Sequence, residues 1–214
     1  MEQTAEPGQI IILNGAPRSG KSSIVAAIQE TFDGPWMNLG VDVYVRHVTP
    51  PRYRPGIGLR PGGEWPDCEA LVQRFYAALY DSIAAHSRLG LNVVVDVGHH
   101  DAHANPSDIL AECARRLAGL PVLFVGVRCP IEVIMERRDA GQVGREGQYL
   151  LSAVDGSVPD AVHLWQREVH RPGIYDLEVD ASLLSPEACA AVIRRRLQDG
   201  IGAPTAFQRL AQRV

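Results

Sequence analysis

The sequence predicts a doubly wound α/β domain, and three observations carry that prediction. Apolar runs bounded by turn residues recur along the chain, segments with helical spacing separate them, and a glycine-rich stretch sits where a strand should hand over to a helix. Strand and helix alternate about five times, which calls for a parallel sheet with right-handed crossovers.

The strand candidates come first. Ile10 to Leu13, Val93 to Val95 and Val122 to Val127 are short runs rich in Val and Ile, suited to strands buried on both faces. Weaker runs lie at Trp36 to Val41 and Tyr175 to Val179. Between them, Ile24, Val25, Ile28 and Phe32 form one helical stripe, and Leu71, Phe75, Leu79 and Ile83 form another at steps of four. Ser185, Pro186 and Glu187 give an N-cap, a first-turn proline and a first-turn acid ahead of Val192, Ile193 and Leu197, with Gly200 placed to end that helix. Residues 200–214 extend beyond it, as a short helical appendage or a frayed tail.

Two long interruptions lack periodicity. Residues 49–66, TPPRYRPGIGLRPGGEWP, are too dense in proline and glycine for a regular element and are expected to form a flap. Residues 136–150 set Arg137, Arg138 and Arg145 among glycines between two helical segments, as a lid would.

Composition bounds the rest. The chain has 214 residues, 46% of them hydrophobic, and a formal charge of −4, as expected of one globular domain spanning residues 1–214. Its 21 basic and 25 acidic residues form no long run of either sign, so neither nucleic acid nor a membrane surface is an expected partner; a small molecule is. The opening residues MEQTAEPGQ have neither a basic start nor an apolar core, and no later run is long enough to span a bilayer, so a cytoplasmic location is expected. Cys68, Cys113, Cys129 and Cys189 lie far apart with no CxxC pair and read as buried thiols.

The chemistry concentrates at Gly15, Ala16, Pro17, Arg18, Ser19, Gly20, Lys21, Ser22 and Ser23. Residues 15–22 fit G-x-x-x-x-G-K-[ST] between a predicted strand and a predicted helix. The glycines let backbone N–H groups turn inward on phosphate oxygens at a helix N-terminus. Lys21 would reach the terminal phosphates of a nucleoside triphosphate, and the Ser22 hydroxyl would bind Mg²⁺. A second carboxylate for the metal is expected at a neighbouring strand end, where VVVD supplies Asp96; its structural alternative is a turn cap.

Asp42, at the end of the second strand candidate, should emerge on the same sheet edge. There it would accept the proton of an incoming hydroxyl, or else cap the following helical turn. Arg137 and Arg145 would place positive charge where the transition state gathers negative charge, and Arg138 would assist in holding the nucleotide; for Arg137 and Arg138 the alternative is a solvated basic helix end, whereas Arg145 lies beyond the helix between glycines. No NKxD sequence is present, which speaks against a GTPase switch. The turn His99-His100-Asp101-Ala102-His103 offers contact to an acceptor more readily than a metal site. His170 could touch the substrate, but reads more readily as a helix-end cap.

The segments IILNGAPRSGKSSI, GPWMNLGVD, VVVD, VGVRC and HRPGIYDLEVD resemble, in the same order, those of the chloramphenicol phosphotransferase family, from about Ile10 to Asp180. The resemblance implies a P-loop kinase fold of the nucleotide and shikimate kinase type, with a five-stranded parallel core. It further implies transfer of the ATP γ-phosphate to a small-molecule hydroxyl, which in the founding case belongs to an antibiotic. It places the general base on Asp42, the P-loop lysine and serine on Lys21 and Ser22, the strand-end acid on Asp96, and the lid arginines on Arg137 and Arg145. Three features depart from the family pattern: Asp96 is followed by Val97 rather than a second acid, the flap has its own proline-rich sequence, and residues 142–162 form a longer lid region. Those are the places where acceptor choice would reside. Kinases of other metabolites, such as the nucleotide-sugar kinases of the zeta-toxin group, and a non-catalytic nucleotide-binding module stay open, as does a homo-oligomer.

Overall fold

The computed structural model describes residues 6–54, 69–102, 108–141 and 149–213. Five parallel strands, β1 (Ile10–Asn14), β2 (Trp36–Asn38), β3 (Asn92–Val97), β4 (Val122–Arg128) and β5 (Leu177–Asp180), form one sheet in the order β2-β3-β1-β4-β5. Central β1 is buried along its whole length and pairs with β3 on one side and β4 on the other, in a register that sets Leu13 beside both Asp96 and Val125.

Successive residues of a strand face opposite sides, so each strand feeds two cores. Ile10, Ile12, Val93, Val95 and Phe124 pack on one face against α3 (Glu69–Arg88), α4 (Ile109–Arg116) and α8 (Ala206–Ala211). Ile11, Leu13, Val94 and Val125 pack on the other against α1 (Lys21–Thr31) and α7 (Pro186–Gln198). The remaining helices, α2 (Val41–Val43), α5 (Ile131–Asp139) and α6 (Asp160–Glu168), gather near the strand ends where chemistry is expected. Among the described residues no helix is long and apolar enough to cross a membrane.

Several boundaries differ from the sequence expectation, each for a local reason. The second strand stops at Asn38 rather than Val41, because the Asn38 side chain accepts the Gly40 N–H at 3.0 Å and turns the chain into α2, which continues through a wider π turn at Tyr44–Val48. The fifth strand begins at Leu177, leaving Tyr175 to pack beneath the sheet against Phe124, their ring centroids 4.9 Å apart. Val192 faces solvent while Ile193 takes the core, so the α7 stripe turns one residue away from the expected one. Ser185 does cap α7, accepting from the Ala188 N–H at 3.2 Å.

Neither the α4 segment nor the role of the tail was foreseen. Residues 206–211 are an integral helix: Ala206, Phe207 and Leu210 are buried, Thr205 and Gln208 form a reciprocal N-terminal cap, and the Asp176 carboxylate ties the Ala206 and Phe124 amides together. Cys113, Cys129 and Cys189 are buried free thiols, as expected; Cys68 lies outside the described residues, as do residues 55–68 of the flap.

Candidate active site

The site grows from the end of β1. Asn14 is fully buried and links four segments: its amide donates to the Val169 carbonyl (2.7 Å) and the Tyr175 hydroxyl (3.1 Å), and its carbonyl accepts the His99 N–H (2.9 Å). Gly15 follows where any Cβ would stand 2.5 Å from the Val127 carbonyl oxygen, so the phosphate loop starts in a slot only glycine fits. The loop then turns through left-handed conformations at Arg18 (φ 73°) and Gly20 (φ 104°) before α1 begins at Lys21. Ser19 is buried inside it, and its hydroxyl has no hydrogen-bond partner among the described residues, as suits a cradle shaped for an anion.

Lys21 is folded onto the loop, its ammonium shared between the Gly15 and Ala16 carbonyls at 2.8 Å each. Ser22 donates to the Asp96 carboxylate at 2.7 Å. A hydroxyl and a carboxylate so joined are the all-oxygen donors that Mg²⁺ prefers, and the residues present fit that ion. Ser23 lies on the exposed side of the helix start.

Asp42 sits half-buried in the first turn of α2, two residues beyond Gly40. A Cβ at Gly40 would overlap the Asp96 carboxylate, so the missing side chain is what lets the segment carrying Asp42 close against Asp96. Burial, then the neighbouring Cys113 and Asp42, raise the Tyr76 hydroxyl above the usual phenol range. The Tyr76 ring meets His99 edge-on at 5.0 Å.

The arginines divide. Arg137 extends from the last turn of α5 to the Ala181 carbonyl (2.7 Å), the Arg18 carbonyl (3.3 Å) and the Cys129 sulfur (3.5 Å). Arg18 in turn donates to the Arg137 and Gly141 carbonyls. Arg138 is not a solvated helix end: it is buried, donates to the Leu150 carbonyl at 3.1 Å, and has its guanidinium 5.5 Å from the Tyr149 ring centre. That burial lowers its proton affinity from the ordinary value. Arg18 stands at the same 5.5 Å from Tyr149, so one ring meets both the phosphate loop and Arg138 of α5. Arg145 lies outside the described residues.

His99 and His100 are both buried. His99 bonds the Tyr80 hydroxyl through Nε2 at 2.8 Å, and His100 meets Trp165 edge-on at 5.2 Å. His103 lies outside the described residues. His170 is not a helix cap but a core imidazole bonded through Nδ1 to the Tyr175 hydroxyl at 2.9 Å. Burial first, then Arg128 and Lys21, pull its pKa down to about 4, while burial pushes Tyr175 up to about 12. Asn14 and Trp165 escaped the sequence reading. Asn14 had a visible signal, a polar residue closing the apolar run IIILN, whereas nothing in the sequence marked Trp165.

With this geometry in view, comparison with known proteins is specific. A family model described as chloramphenicol phosphotransferase-like protein matches residues 8–198. Among curated proteins none matches the sequence significantly. Similar solved structures include the shikimate kinase of Aquifex aeolicus vf5 (16% identity, TM-score 0.55, covering 89% of this chain and 97% of that one). The gluconokinase of Sinorhizobium meliloti 1021 is 20% identical with TM-score 0.52 (97% and 95% covered). The Mycobacterium tuberculosis APS kinase, solved with AMPPNP and APS, is 16% identical with TM-score 0.54 (90% and 98% covered). The fold is that of P-loop kinases.

Proposed function

The chain belongs to the chloramphenicol phosphotransferase-like family, and from that premise we propose that it is an ATP-dependent O-phosphotransferase that moves the γ-phosphate to a hydroxyl of a small molecule. The observation that carries this reading is the meeting of three groups at one sheet edge: Lys21 on the phosphate loop, the Ser22–Asp96 pair, and Asp42 behind Gly40.

In this mechanism the backbone N–H groups of the phosphate loop, which Pro17 alone lacks, and the Lys21 ammonium hold the phosphates, Lys21 exchanging two carbonyls for phosphate oxygens. Ser22 and Asp96 would hold Mg²⁺, which when bound supplies charge neutralisation at the phosphates. Asp42 accepts the proton of the acceptor hydroxyl. The oxygen forms its bond to the γ-phosphorus as the bond to the β,γ-bridging oxygen breaks, and ADP leaves. Arg137 fixes the loop through the Arg18 carbonyl, and the lid arginines, Arg145 included, add positive charge on closing. A cytoplasmic location, with its ATP supply, accompanies this reading.

Chloramphenicol is one candidate acceptor; other hydroxyl-bearing antibiotics and metabolites such as nucleotide sugars are the others. The deciding experiment follows label from γ-labelled ATP with Mg²⁺ into a panel of chloramphenicol, further antibiotics, nucleosides, UDP-sugars, shikimate and gluconate, with Asp42→Asn as control. Transfer to an acceptor that falls at least 100-fold in the variant, with ADP affinity kept, is expected. A variant that transfers as well as the parent would remove Asp42 as base. Nucleotide binding without transfer to any acceptor would favour a non-catalytic module.

A further inference from the structure

We propose that Asn14 is a positioning residue for the nucleotide: its buried side chain carries the pairing of β1 with β3 past the point where the main chain leaves the sheet, and so holds the root of the phosphate loop in the place from which it grips the phosphates. The proposal rests on the phosphotransferase reading above and deepens its nucleotide side.

β1 pairs with β3 as far as Asn14 opposite Val97. One residue later the chain turns away into the phosphate loop. Gly15 still donates its N–H to the Val97 carbonyl at 3.3 Å, and the place of its absent Cβ is 2.5 Å from the Val127 carbonyl oxygen of β4. β1 has ended before the amide of His99, two residues past Val97, and Asn14 Oδ1 accepts that N–H at 2.9 Å. A side chain thus supplies the acceptor that the strand no longer offers.

The orientation of the Asn14 amide is forced. The His99 N–H can only donate and the Val169 carbonyl can only accept, so Oδ1 faces His99 while Nδ2 faces Val169 at 2.7 Å; the second Nδ2 hydrogen goes to the Tyr175 hydroxyl at 3.1 Å. The two arms hold different things. The nitrogen arm ties the loop root to the end of α6 and the approach to β5. The oxygen arm ties it to the chain leaving β3, three residues after Asp96, and Asp96 in turn accepts from Ser22 at the far end of the loop at 2.7 Å. Both ends of the phosphate loop are therefore fastened to the exit of β3.

Asn14 is 0% exposed, so it acts through the loop and not on a bound molecule. Packing in a central strand would be served by leucine, and a buried amide is tolerated there because both of its arms are used. Loops that grip phosphates work only when such supporting bonds keep their backbone in place.

The test compares wild-type protein with Asn14→Leu, which keeps the shape and deletes both arms, and Tyr175→Phe, which removes a partner of the nitrogen arm alone. In Asn14→Leu the affinity for metal-free ADP, measured by calorimetry, should fall roughly tenfold, and kcat for whichever panel compound takes label should fall roughly tenfold to a hundredfold. In Tyr175→Phe both should stay within about twofold of wild type even as the melting temperature drops. A second readout needs no variant: in the wild-type protein, saturating ADP should slow hydrogen exchange of the His99 amide roughly tenfold, while the Ala206 amide, held by Asp176 on α8, changes less than about twofold. Unchanged ADP affinity in a folded Asn14→Leu, an equal loss in Tyr175→Phe, or His99 exchange indifferent to ADP would each overturn the assignment, and the exchange measurement decides alone if Asn14→Leu does not fold. Should these ADP readouts come out as expected while no compound takes label from ATP, the phosphotransferase reading fails and Asn14 keeps its place in a nucleotide site.

Discussion

Arg18 and Arg137 hold each other's main chain: Arg18 Nε donates to the Arg137 carbonyl at 3.0 Å, and Arg137 Nη1 donates to the Arg18 carbonyl at 3.3 Å. The second arm of Arg137 reaches the Ala181 carbonyl, just past β5, at 2.7 Å. The left-handed turn of the phosphate loop is thereby fastened to the last turn of α5. Two residues 119 apart in sequence act as one brace.

Arg137→Ala should loosen this brace and weaken ADP binding about tenfold or more. Arg137→Lys should recover little of it, because a single ammonium cannot span the Arg18 and Ala181 carbonyls as the guanidinium fork does. Calorimetric titration with ADP checks both, and wild-type affinity in the lysine variant would contradict the fork argument.

Asp96→Asn should raise the Mg²⁺ concentration needed for half-maximal transfer at least tenfold while leaving metal-free ADP binding within about twofold. In the unaltered protein EDTA should abolish transfer. Activity that survives EDTA, or an unchanged Mg²⁺ requirement in the variant, would count against the Ser22–Asp96 pair as the metal's seat.

Gly40→Ala puts a methyl group where the Asp96 carboxylate stands. Either the acid or the segment carrying Asp42 must shift, so transfer should fall at least tenfold with a stability loss of about 1–3 kcal/mol. Thermal melts and the label-transfer assay give the two numbers; full activity in the variant would show that Asp42 does not depend on this close approach.

His170 gives a pH signature. Its imidazole falls from an ordinary pKa of 6.5 to about 4 on folding, so between those values the unfolded chain binds the extra proton and the folded chain does not. Its contribution is complete above pH 6.5 and is lost as pH falls toward 4, amounting to roughly 3 kcal/mol across that window. His170→Gln, which keeps a polar partner for Tyr175, should flatten that part of the stability profile. Parallel stability profiles for the two proteins from pH 4 to 7 would refute the buried neutral imidazole.

Phe207→Ala should cost about 3–5 kcal/mol, because the ring is 3% exposed and meets Phe124 of β4 edge-on at 5.0 Å. Chemical denaturation measures the loss, and a change under 1 kcal/mol would mean that α8 is only loosely attached.

What the sequence determined by itself was local and periodic. Runs of Val and Ile marked β1, β3 and β4 within a residue or two, since strands buried on both faces must be apolar throughout. The glycine spacing from Gly15 to Ser22 dictated a phosphate loop because its backbone demands are met by few other residues. Ser185 and Pro186 announced a helix start for the same kind of reason.

Tertiary structure decided everything that depends on what lies opposite. Whether Val192 or Ile193 turned inward depended on which face α7 offers the sheet, and a tail that read equally as appendage or fray became part of the core once Asp176 and Phe124 stood beneath it. Asp42 and Asp96 were each visible as acids near strand ends, yet the close approach of the segment carrying Asp42 to Asp96 rests on Gly40, whose significance is the absence of an atom. Arg137 and Arg138 read as a pair but part company in space, one bracing the phosphate loop and the other buried beneath Tyr149 and Leu150. Sequence spacing reports the period of an element; only packing reports which distant backbone or ring that element meets.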